Sequence, residues 1–418
     1  MTSAPQPRRE AAFLFILVTV VLDMLALGVI IPVLPKLIVQ FEGGDLPSAA
    51  RVVGVFGVAW AAMQFLFQPV LGALSDHYGR RPVVLASNFG LGIDYIFMAL
   101  APSLPFLFVG RLISGATAAS VATANAYISD ITPPEKRAGR FGMIGAAFGL
   151  GFILGPAIGG ALGAYDLRLP FWAAAAFSLA NFLYGYFILP ESLAPEKRTP
   201  NVVWRSANVL GSLDFLRRRL ALTLLAAALF LSYLAHESLP ALFVLYTQQR
   251  YNWDASTTGW ALAIVGVSQT IVSGALVRPA VARLGEKTTL TIALACGALG
   301  FVAYAVAPTG AAFMAAPPLI AMWGMANPSF QGLATRLAGA SEQGRLQGAL
   351  GSLRGVSGMI GPLIFTQIFA FSLAVDVFAG AGFFVAGLML ATSLAIALAA
   401  IRREKGQNVP AEAGPDRR

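Results

Sequence analysis

The chain has few charged residues and almost no cysteine or histidine. Of its 418 residues, 12% are charged and 57% are hydrophobic, with one cysteine and two histidines. Globular domains usually carry about twice that charged fraction, which argues against a soluble enzyme. The single cysteine, Cys296, excludes a disulfide within the chain, and no Cys/His metal cluster can be built. No nucleophile–base pair or phosphate loop is present either, so we expect no enzyme, no metal site and no permanently bound cofactor.

Long apolar runs are what the chain has in abundance. Twelve of them are long enough to cross about 30 Å of hydrocarbon as helices, which predicts an all-α membrane protein. The predicted spans are 11–40, 52–74, 82–101, 105–128, 141–163, 170–189, 220–246, 257–281, 288–307, 311–333, 348–371 and 376–401. Six spans lie on each side of a proline-containing polar stretch. The predicted divisions are an N-terminal bundle 1–189, a linker 190–219, a C-terminal bundle 220–401 and a tail 402–418.

The chain has a net charge of +9, and the distribution of its Lys and Arg residues among the loops predicts the membrane topology. One set of alternate loops carries 23 Lys and Arg residues, and the other set carries only Lys36, Arg51, Arg168 and Arg250. Short cytoplasmic loops collect Lys and Arg, so both termini and the linker are predicted to be cytoplasmic. The first apolar run is too long for a signal peptide and predicts a retained helix. Basic clusters between spans indicate a lipid bilayer, and not nucleic acid, as the partner.

The two halves repeat each other in sequence. A set of small residues on the fifth predicted span returns on the eleventh at a constant offset of 206 residues. The matched positions are Gly142, Gly145, Gly149, Gly155 and Pro156 with Gly348, Gly351, Gly355, Gly361 and Pro362. Parallel repeats of this kind are typical of transporters that bind their substrate near the middle of the membrane.

Three ionisable residues are predicted to lie inside the membrane. Asp23 and Asp94 each come 12 residues after the start of a span, or roughly 18 Å deep at 1.5 Å per residue. Arg111 lies about 9 Å from the other face. Ionisable groups at such depth are costly, so function is the default hypothesis, and a carboxylate there can bind and release a proton. The alternative is a carboxylate held structurally by a hydrogen bond from a neighbouring helix.

Further polar residues on the spans are candidates for lining a substrate cavity. His236 and Glu237 are adjacent on the seventh span, before a proline, where they could contact a substrate or carry protons. They could equally lie at the solvated outer mouth. The other candidates are Gln64, Asn125, Gln269, Asn327 and Gln331. For these five, hydrogen bonding between helices is the competing interpretation.

The stretch Gly72–Pro82 reads Gly-Ala-Leu-Ser-Asp-His-Tyr-Gly-Arg-Arg-Pro between two apolar spans. Its charged residues must lie at a membrane face. Its two glycines, at 72 and 79, permit a tight reversal and close helix approach. The stretch resembles the signature loop between helices two and three of the major facilitator superfamily. That resemblance implies a fold of two six-helix repeats that moves its substrate by alternating access, with Asp76, Arg80 and Arg81 in a gating loop.

Two more motifs resemble signatures of antiporters within that superfamily. Arg111 with Gly115 resembles the helix-four arginine motif of proton-coupled antiporters, which implies a role in proton relay. Gly155-Pro156 resembles the helix-five antiporter motif. Gly145, Gly149 and Gly159 extend the bare helix face around it, and generic tight packing would explain them equally well.

Over nearly its whole length the chain resembles the bacterial tetracycline/proton antiporters. The matching segments include Leu22-Asp23-Met24, Asp94-Tyr95, Leu189-Pro190-Glu191-Ser192 and Leu346-Gln347-Gly348. The resemblance implies that Asp23 and Asp94 take part in coupling, that tetracycline or its magnesium chelate is the cargo, and that the protein works as a monomer in the bacterial inner membrane. It also implies that Asp76 pairs with a second-half helix near Gly348 when the cavity opens outward.

The departures from that family lie in the second half. Cys296 stands where an acidic residue is common on helix nine, and Gln269 stands where a histidine is common on helix eight. His236-Glu237 is not expected in the family either. A multidrug or metabolite exporter of the same fold is therefore the alternative. From another class, a non-transporting membrane receptor predicts that neutralising Asp23 would matter little.

Overall fold

The computed structural model describes residues 6–118, 120–199, 216, 220–337 and 342–407, which are almost entirely helical. Prolines stand in the first turn of several helices, where a missing amide hydrogen costs nothing. The helices of the first half are α1 Gln6–Ile30, α2 Leu34–Phe41, α3 Leu46–Tyr78, α4 Arg80–Ala99, α5 Leu104–Thr117, α6 Ser120–Ile131, α7 Pro134–Gly163 and α8 Leu169–Ile188.

The second half, from residue 220 onward, contains nine helices. They are α9 Leu220–His236, α10 Ser238–Tyr251, α11 Ala255–Ile271, α12 Val277–Val306, α13 Gly310–Met314, α14 Pro317–Met322, α15 Ala326–Leu337, α16 Gln343–Ala374 and α17 Ala381–Gln407. A π-helical turn, Val272–Leu276, joins α11 to α12. The predicted linker and tail lie mostly outside the described residues, at 200–215, 217–219 and 408–418.

All twelve predicted spans coincide with helices. Within the described ranges, nine helical runs are long and apolar enough to cross a membrane. The count is lower than twelve because 105–128 is divided into α5 and α6, and 311–333 is divided into α13, α14 and α15. The predicted spans 257–281 and 288–307 fall in one run, which bends at Gly285 (φ +75°).

The predicted loop Gly72–Pro82 was too long. Helix α3 continues to Tyr78, and the only non-helical residue before α4 is Gly79, at φ +108° and ψ +161°. Gly72 lies inside α3, and a Cβ added to it would meet no described atom within 4 Å, so it takes no part in the turn. One glycine suffices because a left-handed φ redirects the chain within a single residue. Gly285, 206 residues later, has nearly the same backbone conformation (φ +75°, ψ +162°), which extends the sequence repeat to the backbone.

The two halves meet through α7 against α11 and through α3 against α16. Along the first pair the contacts run from Gly160 against Gly259 to Gly149 against Thr270. Along the second they run from Gly54 against Thr366 to Gly355 against Phe65. We call the end of the molecule that carries Gly79 the basic end, and the end that carries α2 the opposite end.

Among the described residues, the glycine contacts of α7 and α16 with the other half stop before the basic end. Cβ atoms built on Gly142, Gly145 and Gly351, which continue the same helices toward that end, would meet no described atom within 4 Å. The halves are therefore closed together at the opposite end and through the middle, and they are separate at the basic end. A cavity between them opens toward the basic end.

Candidate functional site

The buried carboxylates of the first half lie on neighbouring helices. Asp23 on α1 is 5% exposed, and its Oδ1 accepts a hydrogen bond of 2.7 Å from Asn181 Nδ2 on α8. The same Asn181 amide donates to the Thr19 carbonyl at 2.9 Å. The hydrogen bond between helices, which was the structural alternative for Asp23, is thus present. A hydrogen bond to a carboxylate does not prevent it from binding a proton, so the two interpretations coexist for Asp23.

Asp94 on α4 has a different environment. It is 1% exposed, and neither carboxylate oxygen has a hydrogen-bond partner among the described residues. The close approach of α5 at Gly110 leaves room for this side chain, because a Cβ on Gly110 would lie 3.2 Å from Asp94 Oδ1. An unpaired carboxylate removed from water is costly, so a proton or a cation has to accompany it.

Arg111 supplies the nearby positive charge. It follows Gly110 on α5, its guanidinium lies 5.3 Å from the centroid of the Trp60 ring, and its buried Nε has no described hydrogen-bond partner. Arg111 interacts electrostatically with Asp94 and Tyr95, and Tyr95 in turn with Asp23. The structure therefore places Asp94 against α5 at Gly110, next to Arg111, and bonds Asp23 to Asn181 of α8.

The predicted gating residues form a network at the basic end. Arg80 Nη1 contacts Asp76 Oδ1 at 2.5 Å, and Arg80 Nε contacts Asp130 Oδ2 at 3.1 Å. Glu191, just after α8, accepts the backbone N–H groups of Arg80 at 2.9 Å and of Arg81 at 3.2 Å. Those amides begin α4 and have no partner within the helix, so Glu191 caps it. The predicted contact of Asp76 near Gly348 belongs to the state that opens at the other end, and it stays a prediction.

The contacts of Glu191 and Asp130 with Arg80 and Arg81 were not predicted from the sequence. One indication was available in the sequence. The helix that starts with Arg80-Arg81 follows a glycine, which has no side chain to cap the first backbone N–H groups. An acid elsewhere had to supply the acceptor, but the sequence does not show which one.

The glycines of helix α7 serve two neighbours. Gly155 and Gly159 lie against the backbone of α1 at Gly28 and Val29, and Gly149 lies against Thr270 of α11. Pro156 lies within the helix, and its carbonyl oxygen faces Gly259. A Cβ added to Gly145 would meet no described atom within 4 Å, so the predicted packing role does not apply to it in this conformation.

In the second half, the predicted cavity residues lie on α9, at the break before α10, on α11 and on α15. His236 and Glu237 stand at the break between α9 and α10, about midway along the run Leu220–Tyr251. They are therefore far from both ends of that run; the His236 side chain is exposed and that of Glu237 is half-buried. The His236 ring lies 5.7 Å from the ring of Trp323.

Of the remaining polar candidates, two make side-chain hydrogen bonds and three are half-buried. Asn327 Oδ1 accepts the Tyr233 hydroxyl at 3.0 Å, and Gln269 lies against Gly324 and bonds Ser273 at 3.3 Å. Gln64, Asn125 and Gln331 are half-buried. Cys296, which stands near the usual helix-nine acid, is half-buried.

A bond between the halves at the opposite end was not predicted. Lys36 on α2 is buried, and its Nζ donates to the Trp253 carbonyl at 2.7 Å and to Gln248 Oε1 at 3.4 Å. Hydrogen bonds from Thr257 lower the pKa of the Asp254 carboxyl, and attraction to Lys36 adds to this effect. An ammonium from the first half is thus held by a backbone carbonyl and a side-chain amide oxygen of the second half.

The fold, the repeat and the buried charges agree with a comparison to protein families. The family model described as Major Facilitator Superfamily matches residues 16–362. The chain belongs to this superfamily.

Its relatives within the superfamily include antibiotic resistance proteins. The chain is 40% identical over 363 residues to the tetracycline resistance protein, class C, of Escherichia coli, covering 86% of this chain and 90% of that protein. It is 39% identical over 365 residues to the class G protein of Vibrio anguillarum, covering 87% and 91%. The solved bacterial homologue of the human lysosomal transporter Spinster, inward-facing and unoccupied, has the same fold, with a TM-score of 0.75, 15% identity and coverage of 98% and 100%.

These findings confirm the predicted fold class of this major facilitator protein, and its apolar helices make it a multi-pass membrane protein. Its relatives are transporters and resistance proteins. Of the predicted site residues, Asp23, Asp94 and Arg111 lie in the first half, and His236 and Glu237 lie in the second.

The first prediction for this major facilitator protein concerns the closed end. Lys36→Met keeps the length of the side chain and removes the ammonium. A hydrogen bond to a charged group contributes about 1.5–3 kcal/mol, so the population closed at the opposite end is expected to fall roughly 10- to 100-fold relative to the open one. Asp45 and Gln249, both exposed at that end, are replaced by cysteine and spin-labelled. Pulsed electron–electron double resonance should then give a longer distance between the two labels in Lys36→Met than in the unmutated background.

The labelling is practical because Cys296 is the only native cysteine and can be replaced by serine. Arg51→Gln is the matched control, since it removes an exposed positive charge from the same half and the same end. An unchanged distance distribution in Lys36→Met, with labelled protein of normal stability, would show that Lys36 does not hold the end closed.

Proposed function

We propose that this protein exports tetracycline, alone or as its magnesium chelate, in exchange for protons. The basic end faces the cytoplasm of a bacterial cell, with both termini on that side, and the protein works as a monomer in the inner membrane. Support for the cargo comes from resistance proteins that match most of the chain. Support for the coupling comes from one observation: Asp94 is buried beside Arg111 without a hydrogen-bond partner for its carboxylate among the described residues.

The cycle begins in the conformation of the structure, with the cavity open toward the cytoplasm. Cargo enters from the basic end and meets polar groups of both halves. Closure at that end and opening at the opposite end release the cargo and expose the buried carboxylates to the outside. Proton binding there lowers the cost of burying them again, so the empty carrier returns with a proton.

The alternative cargo is another amphiphilic drug. Two departures from the family pattern favour it. Cys296 and Gln269 replace the acidic residue and the histidine expected in the second half, and His236 and Glu237 are present where the family does not have them. These residues line the half of the cavity in which cargo preference would be decided.

Proton release from the purified protein tests the proposal. Tetracycline with magnesium is added to weakly buffered protein, and the pH change is compared in wild type, Asp23→Asn and Asp94→Asn. We expect release from wild type and no release when the coupling carboxylate is replaced. No release from folded wild-type protein would remove tetracycline as the cargo, and the same assay would then be run with other lipophilic drugs.

A further inference from the structure

The second half carries a pair of opposite charges that the coupling mechanism does not use. Glu237 lies at the break between α9 and α10, and Arg354 lies on α16. Gly355, next to Arg354, contacts Phe65 of the first half, and Pro362 contacts Gly57. This stretch of α16 therefore lies along the interface between the halves, at the level where the cavity ends.

Glu237 and Arg354 lie on adjoining stretches of α9, α10 and α16 but are not bonded to each other. Glu237 packs on Gly361 of α16, two helical turns beyond Arg354, and the Arg354 guanidinium lies over Tyr233, one turn before Glu237. Among the described residues, however, the Glu237 carboxylate has neither an ion pair nor a hydrogen bond. The Arg354 guanidinium lies 5.8 Å from the centroid of the Tyr233 ring. The Arg354 side chain is exposed.

Packing holds the two side chains in place separately. The Cβ and Cγ of Glu237 lie against Gly361, where any side chain would collide with them. Tyr233, beneath the guanidinium, is fixed by its hydroxyl bond to Asn327 at 3.0 Å. Trp323 is fixed beside His236 by the bond from its Nε1 to Ser232 Oγ at 3.0 Å. The carboxylate and the guanidinium are thus held by separate contacts, Glu237 against Gly361 and Arg354 over Tyr233.

A single ion would suit this arrangement poorly. A cation near Glu237 is repelled by Arg354, and an anion near Arg354 is repelled by Glu237. A ligand with both charges satisfies both groups, with charge-assisted hydrogen bonds at each end. The exposed ring of His236, next to Glu237 in the chain, offers a flat aromatic surface for the body of such a ligand.

We propose that Glu237 and Arg354 form a binding site for a zwitterionic amphiphile, with Glu237 holding its ammonium group and Arg354 holding its anionic oxygen. This inference rests on the proposed export function, since it names the charge class of the cargo. It places cargo recognition on the second half, apart from the coupling carboxylates on the first.

Metal-free tetracycline tests the site because it carries a dimethylammonium group and an acidic hydroxy-diketone. Its binding to purified protein is measured by calorimetry in the presence of EDTA, beside the analogue that lacks the dimethylamino group. Glu237→Gln is expected to weaken tetracycline binding about 10- to 100-fold and to leave the affinity for the amine-free analogue unchanged. Arg354→Gln is expected to weaken the binding of both compounds.

Charge-preserving and remote variants complete the design. Glu237→Asp and Arg354→Lys should keep most of the selectivity, which guards against a misfolded Gln variant. Asp45→Asn and Arg51→Gln remove exposed charges elsewhere and should change neither affinity. Equal weakening of both compounds by Glu237→Gln, or no weakening of either, would overturn the inference.

Proton release separates this inference from the proposed function. Normal proton release, together with equal weakening of both compounds or no weakening of either by Glu237→Gln, would refute the zwitterion site alone. The expected selectivity pattern without proton release in wild type would refute coupling and leave the site standing.

Discussion

Asp94→Asn is expected to abolish the accumulation of tetracycline that a proton gradient drives into inside-out membrane vesicles. The amide keeps the size of the side chain but cannot bind and release a proton. Arg111 then loses its nearby buried acid, but the bundle keeps its packing because Asp94 makes no described hydrogen bond that the variant would break. The proton gradient can then no longer drive tetracycline transport. Tetracycline uptake should therefore fall to the level of vesicles without the protein.

Exchange of labelled for unlabelled tetracycline, measured without a gradient, should persist in the same variant. Counterflow needs alternating access and cargo binding but no net proton movement. The pair of assays separates a coupling carboxylate from one that binds cargo or supports the fold. Gradient-driven accumulation at the wild-type level in Asp94→Asn would contradict a coupling role, and Asp45→Asn is the control for an exposed acid.

The depth of the charged residues could be predicted from the sequence, but their partners could not. Depth follows from the constant rise of a helix, so the count from the start of a span placed Asp23, Asp94 and Arg111 inside the membrane. Which groups they meet depends on how helices far apart in sequence are rotated against each other. The bond from Asn181 to Asp23 joins residues 158 positions apart, and nothing local to either residue specifies it.

The contact of Lys36 was missed for a related reason. The shorter of its two hydrogen bonds goes to the backbone carbonyl of Trp253. Because every residue has a backbone carbonyl, the residue types in the sequence do not indicate this bond. The open end was equally beyond prediction, because one sequence must encode both states of an alternating-access carrier. The sequence repeat predicted which helices correspond, but not whether the halves separate at the basic end or at the opposite end.

Gly160→Ala is expected to abolish transport by forcing the halves apart where they touch. A Cβ on Gly160 would lie 2.8 Å from the Cα of Gly259 and against the Ala255 carbonyl. Both neighbours are backbone atoms of α11, which cannot turn aside as a side chain can. Overpacking of this kind costs typically 1–3 kcal/mol, so the state closed at the opposite end should lose population by a factor of about 5–150. Labels at Asp45 and Gln249 would report the separation, and vesicle uptake would report the loss of transport.

Gly142→Ala on the same helix is the matched control. A Cβ there meets no described atom within 4 Å, and replacing glycine by alanine inside a helix favours the helix by about 1 kcal/mol. The control should therefore transport normally and unfold at an equal or higher temperature, while Gly160→Ala unfolds earlier. The reciprocal variant Gly259→Ala should reproduce the Gly160→Ala result, because the same two backbones are pushed apart from the other side. Normal uptake by both Gly160→Ala and Gly259→Ala would mean that this close contact of α7 and α11 is not needed for the transport cycle.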